Sequence, residues 1–268
     1  MTTARRQQAP GATEPDPRLF VTSVERALTV LNAFDADGKS LSITEIAART
    51  KLGRSAAQRF TYTLHQLGYL RRDATSKHYS VSYKVLSLAR SVIGTNTEAD
   101  RIAPVLEKIA RRTQETVAWV ELDDLEVVIL RSIPSTHHSS VNLPVGKRFA
   151  ALSAASGQVL LASKSDSDIL RIYRNSNEYS RTRFGVMSDE SVLKHFNTVH
   201  RNGFSITEKT EDYDSISISV PVMNFQGNAV GAINISALKS RFSREKTETV
   251  LLEELMDSRV LASKHLFN

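Results

Sequence analysis

At 268 residues, 41% of them hydrophobic, the chain is long enough for two ordinary domains, each with its own core. It contains no cysteine, which excludes disulfide staples and thiolate metal sites and fits a reducing cytoplasm. The net charge of +6 is uneven: residues 1–92 hold 14 Lys/Arg against 7 Asp/Glu, residues 93–268 hold 21 against 22, so a basic front and a near-neutral back point to two jobs on two domains.

The first 20 residues, MTTARRQQAPGATEPDPRLF, lack the apolar core of a signal peptide and read as a disordered arm. No apolar run approaches a membrane span, so a soluble cytoplasmic protein is expected. Thr22-x-x-Glu25 has the form of a capping box, and Val24, Ala27, Leu28 and Leu31 follow at helical spacing. Ser42-x-x-Glu45 repeats the pattern ahead of Ile43, Ile46 and Ala47. After the turn Lys51-Leu52-Gly53 a third helix begins, with Ser55-x-x-Gln58 near its start.

Placed at 100° intervals, that third helix gathers Ala56, Ala57, Phe60, Leu64 and Leu67 on one side. Arg54, Ser55, Gln58, Arg59, Tyr62, His65 and Gln66 occupy the opposite arc. A polar face of this kind suits a major groove, where Arg and Gln make bidentate hydrogen bonds to base edges. Arg54, Gln58 and Arg59 are the expected base readers; Ser55 and Tyr62 are expected on phosphates. Two short strands, Tyr69–Asp73 and His78–Ser82, then flank a turn and carry Arg71, Arg72 and Lys77. Between Arg49 and Lys84 there are eight Lys/Arg and one acid, Asp73. Residues 21–82 therefore read as a winged helix-turn-helix for duplex DNA, with the hairpin as the wing; a charged edge that blocks strand pairing is the plainer reading of a single wing residue.

Residues 83–97 fit a linker helix whose stripe of Val85, Leu86, Ala89, Val92 and Ile93 suits either a buried linker or a dimer seam. From residue 98 onward a helix over Glu98–Arg112, strands at Val117–Leu122 and Val127–Ile133, helices near Ala154–Ala162, Asp166–Arg174 and Asp189–Asn202, and a final hairpin and helix make an α+β layer. Ser215–Val220 alternates strictly, isoleucines against serines, and Ala232–Ser236 alternates again. On alternation alone the serine face belongs to solvent. Ser153–Gly157 opens a helix with small residues whose free amides suit an anion; Ser156 fits a cap or a ligand-binding hydroxyl equally well. For an enzyme the chain offers little: no G-x-S-x-G, no Gly-rich phosphate loop and no H-E-x-x-H. His195 and His200 are poorly spaced for one helical face, His137-His138 sit on an expected strand, Asp123-Asp124 and Glu211-Asp212-Asp214 read as turn solvation, and Trp119 reads as core. No catalytic residue, metal ligand or cofactor is assigned.

The segments SVERALTVLNAF, ITEIAARTKLGRSAAQRFTYTLHQLGYL, VNLPVGKRFAALSAASGQVLLA and GFSITEKTEDYDSISISVPVMNFQGNAVGAINIS, in this order, resemble the IclR (isocitrate-lyase-regulator) family of bacterial transcription factors. The family typically has Gly, Cys and Gly-Lys where this chain has Asp214, Ser217 and Gly157-Gln158. The resemblance implies a GAF-like sensor over residues 98–268 and an effector held against the serine face. On that basis the expected pocket joins Ala155, Ser156 and Gly157 to Ser217, Asn234 and Ser236, with Val141 and Thr207 as walls. These groups are neutral and suit a compact organic acid, aromatic for choice. The expected function is a DNA-binding regulator, a homodimer or dimer of dimers on a pseudo-palindromic operator, modulated by that acid. Repression and activation fit the residues equally. The competing classes are a GAF-like enzyme with a nucleic-acid-binding accessory domain and a ligand-independent architectural DNA-binding protein.

Overall fold

The computed structural model describes residues 16–34, 40–93, 97–210 and 213–267. Most of the expected N-terminal arm, the end of the linker segment at 94–96 and the acids Glu211 and Asp212 lie outside them. Contacts divide the chain into two units, Met1–Thr95 and Asn96–Asn268. Among the described residues no helix is long and apolar enough to cross a membrane.

In the first unit, α1 (Thr22–Asn32), α2 (Ile43–Thr50) and α3 (Arg54–Gln66) precede a hairpin of β1 (Leu70–Arg72) and β2 (Tyr79–Val81), and α4 (Val85–Ile93) follows. The Ser42 capping box forms: Ser42 Oγ accepts from the Glu45 amide at 3.3 Å, and the Ser42 amide donates to Glu45 Oε2 at 2.8 Å. The Thr22 box does not. Val21 holds the cap position of α1, so Thr22 is already inside the helix and makes no side-chain cap. The stripe on α1 is also only partly buried. Val30 enters the core, while Val24 and Leu28 remain 55% and 54% exposed. Around Val30 gather Ile46 of α2, Ala57 and Leu64 of α3, and Leu41, Leu70 and Tyr79 of the small sheet. Leu41 bridges to Tyr79 and so ties the chain ahead of α2 to the wing. At the wing turn the Asp73 carboxylate accepts from the Thr75 amide and from the Ser76 amide and hydroxyl, which holds its pKa below the usual carboxylate range, the Ser76 amide bond being the largest cause.

The second unit begins with α5 (Thr97–Arg101) and α6 (Ala103–Thr113), where one helix over 98–112 was expected. Pro104 falls in the first turn of α6 and has no amide to continue the ladder from α5, so the helix restarts. The strands β3 (Thr116–Asp123), β4 (Glu126–Ile133), β5 (Arg148–Ala150), β6 (Ser205–Thr210), β7 (Tyr213–Met223) and β8 (Ala229–Leu238) form one antiparallel sheet in the order β5-β4-β3-β8-β7-β6. Between β5 and β6 lie α7 (Ala155–Leu161), α8 (Asp166–Asn175), α9 (Glu178–Phe184) and α10 (Asp189–Asn202); α11 (Arg244–Lys246), a π-helical turn over Thr247–Leu251 and α12 (Leu252–Phe267) end the chain. Neither β5 nor α9 was expected from the sequence.

Both faces of this sheet are covered. Ile216, Ile218, Val220, Ile233, Ile235 and Trp119 pack under α6 and α12 with Leu106, Ile109, Leu255 and Leu266. Ala118, Val120, Val127, Ile129 and Ala232 pack on the other side with Val159, Leu160, Ile172 and Phe196 of α7, α8 and α10. Two glycines allow close approach. A Cβ at Gly231 would overlap the Trp119 ring, and a Cβ at Gly157 would overlap the Ala151 carbonyl and Cα. Because the obstacle at Gly157 is backbone, it cannot swing aside. Gly157→Ala is therefore expected to destabilise the second unit by about 1–3 kcal/mol, read as a lower chemical-denaturation midpoint; an unchanged midpoint would contradict this packing.

Candidate functional site

In the first unit Arg54, Ser55, Gln58, Arg59 and Tyr62 are all exposed on α3, as expected for a face that meets a partner. Ser55, Gln58, Arg59 and Tyr62 share one surface recess with Ile43, Tyr79 and Arg72 of β1. The helix and the wing thus contribute to the same concavity. Arg72 lies over the Tyr79 ring at 5.6 Å and Arg71 over Tyr83 at 4.6 Å, contacts that stiffen both guanidinium groups at the hairpin. Lys77 stands at the wing turn with φ +60°, its Nζ donating to the Ala74 carbonyl at 2.6 Å.

Two residues depart from the expected arcs: Leu67 is 54% exposed, and His65 Nδ1 meets the Leu70 carbonyl at 3.0 Å, so His65 joins helix to hairpin. Leu67 falls at the C-cap, where the apolar arc has run past the core. Lys84 Nζ donates to its carbonyl at 2.8 Å, a cation at the negative end of the helix.

In the second unit a small cavity of about 50 Å3 lies between the serine face of the sheet and the start of α7. It brings together Ala155, Ser156, Thr207, Ser217, Asn234 and Ser236. Val141 and Gly157 are not on its wall. Val141 turns into the core and its carbonyl accepts from Thr116 Oγ1 at 2.8 Å; Leu143, two residues on, lines the cavity instead. Gly157 serves the crossing of α7 over Ala151. Ser156 is not the helix cap, because Ala154 holds that position.

The serine face is buried rather than solvated, and its groups satisfy one another. The Ser219 hydroxyl donates to Asn234 Oδ1 at 2.8 Å, Asn234 Nδ2 donates to Ser236 Oγ at 2.9 Å, and Ser236 and Ser217 share a third bond at 2.7 Å. Farther along the face, the Ser205 hydroxyl donates to Gln158 Oε1 at 2.5 Å, and Gln158 Nε2 donates to the Leu152 carbonyl at 2.9 Å, tying β6 to α7. Counting protons, one hydroxyl hydrogen of the Ser217–Ser236 pair and one amide hydrogen of Asn234 are not used within this chain of bonds. The wall is completed by apolar Val120, Ile129, Leu143 and Phe149, by Ala150, Ser153 and Ala154, and by Arg183 of α9. The residues expected to line the pocket are neutral, and Arg183, which was not among them, adds a charge. Val120 pairs with Ala232, and Ile129 with Val120, which puts both on the face of Asn234.

Leu143 is brought to the cavity by a loop fixed from outside. Arg241 donates to both oxygens of the fully buried Glu115, at 2.6 and 2.8 Å, and to the Ser139 carbonyl at 2.9 Å. His137 and His138 belong to this loop, not to a strand. The acids at Asp123 and Asp124 pair with Arg148 and Arg171 at the surface. His195 packs edge-on to Phe184 and Phe196, and burial lowers its pKa.

Comparison with known proteins agrees with this fold. Residues 23–74 match the model of the IclR helix-turn-helix domain, and residues 94–260 match that of the bacterial transcriptional regulator IclR C-terminal domain. The chain is 30% identical over 245 residues to the Pca regulon regulatory protein of Pseudomonas putida, covering 91% of this chain and 82% of the relative. It is 27% identical over 228 residues to the p-hydroxybenzoate hydroxylase transcriptional activator of Acinetobacter baylyi, covering 83% of each. Its fold is similar to that of an IclR homologue from Microbacterium hydrocarbonoxydans solved with 4-hydroxybenzoate, with a TM-score of 0.71 at 19% identity over 91% of this chain and 98% of that one. The chain belongs to the IclR family of bacterial transcription regulators, with an N-terminal DNA-binding helix-turn-helix and a C-terminal α+β domain.

Proposed function

We propose that this regulator reads a pseudo-palindromic operator through α3 and the wing, and that a small aromatic acid in the second-unit cavity sets its occupancy. It acts by binding rather than by catalysis, in the cytoplasm. Arg54, Gln58 and Arg59 read base edges, while Ser55, Tyr62, Arg71, Arg72 and Lys77 hold the phosphate backbone. Residues 21–82 carry this task, 83–97 link, and 98–268 sense. A homodimer supplies the two-fold, with half-sites about 34–36 Å apart. Exposed Val24 and Leu28 on α1 and Leu86 and Leu88 on α4 support association of two copies, since aliphatic groups gain by leaving water.

The observation that carries the sensor reading is the buried Ser217–Ser236–Asn234 chain facing a cavity with apolar sides. Hydroxyls and an amide on a dry sheet face orient a ligand without a charge of their own. The names of two relatives, which concern Pca and p-hydroxybenzoate genes, and the 4-hydroxybenzoate bound by a protein of the same fold support an aromatic acid.

Two sets of variants test the two halves. Arg59→Ala is expected to cost about 1–3 kcal/mol and relax specificity at one base position, whereas Lys77→Ala weakens all duplexes alike and lowers the salt slope by about 1. Gel-shift titrations with no preference for any operator over random DNA would sink the DNA half. Ser217→Leu is expected to fill the cavity and abolish the response to 4-hydroxybenzoate while operator binding persists. A wild-type response from Ser217→Leu would show that the serine face is not the effector site.

A further inference from the structure

Among the described residues, Arg183 is the one ionisable residue that lines the cavity. It sits on α9, a short helix whose N-terminus is capped by the Asn177 side chain and whose end is turned by Gly185 at φ +110°. The next residue, Phe184, points inward, stacking on Phe196 at 5.6 Å and meeting His195 edge-on at 5.0 Å. That aromatic peg fixes the rotation of α9, and the 100° step between neighbours then carries Arg183 outward. Its guanidinium contacts the Tyr179 hydroxyl at 3.3 Å and lies 6.0 Å from that ring, one turn earlier on the same helix. Arg183 is exposed, whereas Ser217, Asn234 and Ser236 are buried. The cavity wall therefore carries an exposed cation and buried neutral hydrogen-bonding groups, together with apolar Val120, Ile129, Leu143 and Phe149.

We infer that Arg183 is the residue that selects for charge in this pocket, taking the carboxylate of the effector at the rim. A planar guanidinium matches a carboxylate with two parallel N–H···O bonds, and among the described residues no other side chain on the wall carries a positive charge. The body of the ligand lies on the aliphatic and phenyl wall. Its far end meets the spare Asn234 amide hydrogen and the spare hydroxyl hydrogen of the Ser217–Ser236 pair. The ligand class that follows is a flat organic acid with a hydrogen-bonding substituent opposite its carboxylate. This inference rests on the aromatic-acid reading and adds to it an orientation, carboxylate outward, and a residue that enforces it. Arg183 already has partners, the Tyr179 hydroxyl among them, so a carboxylate exchanges contacts at a fork held near the rim.

Calorimetric titration of the full chain with 4-hydroxybenzoate, 4-hydroxybenzamide and benzoate tests this, using wild type, Arg183→Gln and Arg183→Lys. Wild type is expected to prefer the acid over the isosteric amide by about tenfold to hundredfold, the range of a hydrogen bond to a charged group. Arg183→Gln should bring that ratio close to one, and Arg183→Lys should restore part of it. Benzoate, lacking the far hydroxyl, should bind more weakly than 4-hydroxybenzoate and still depend on Arg183. An acid-to-amide preference that survives in Arg183→Gln would overturn the assignment of Arg183 and leave the effector reading standing. Wild type binding none of the three would overturn the effector reading and the assignment together.

Discussion

The strict period-two alternation of β7 and β8 is the constraint on which the second unit depends. Side chains on a strand leave on opposite faces in turn, so Ile216, Ile218 and Ile235 are committed to one side, and Ser217, Ser219 and Ser236 to the other. The isoleucine side makes an ordinary core under α6 and α12. The serine side is buried as well, under α7 and its neighbours. Burying hydroxyls is unfavourable unless they find partners, and here they find one another across the β7–β8 register. Slipping that register by one residue would place isoleucines in the cavity and serines in the core.

A polar face that satisfies itself keeps a cavity open in a way that an aliphatic face does not. Small side chains leave room, and their bonds fix the rotamers, so the wall keeps its shape. The surrounding elements are held by contacts that leave little slack. Gly157 lets α7 lie directly against the Ala151 backbone, Gln158 bonds both Ser205 and the Leu152 carbonyl, and the Glu115–Arg241 pair pins the loop that delivers Leu143. Removing Arg241 would strand the fully buried Glu115 carboxylate out of water, which binds the loop more firmly to its place than the pair's net contribution to stability suggests.

Features encoded over a few residues were legible in the sequence. The Ser42–Glu45 box, the exposed Arg54–Tyr62 face and the two alternating strands need only neighbours three, four or two positions away. Features decided by distant packing were not. Thr22 has the right spacing for a capping box, yet Val21 takes the cap, and the stripe on α1 is split between core and surface. Val141 and Leu143 are equally apolar, and only the bond from Thr116 to the Val141 carbonyl shows which one turns away from the cavity. The segment EYSRTRF of α9 has a single strongly apolar anchor, Phe184, too little for a helical stripe. Nothing in the sequence pattern therefore marks Arg183, the only charge on the cavity wall among the described residues. Whether the serine face meets solvent or a cavity is likewise beyond alternation, because alternation divides the faces without saying what covers each.

The account joins a DNA-reading surface and an effector cavity in one chain, so its central claim is an energetic coupling between them. A ligand shifts operator occupancy only through unequal affinity for the DNA-competent and DNA-incompetent states, and the coupling is reciprocal. The direct measurement is the affinity of full-length protein for a selected operator duplex across a titration of 4-hydroxybenzoate, paired with the affinity for 4-hydroxybenzoate with and without that duplex. The account predicts the same factor in both directions, about 5–150-fold. A ligand that binds the protein while operator affinity stays constant would contradict it.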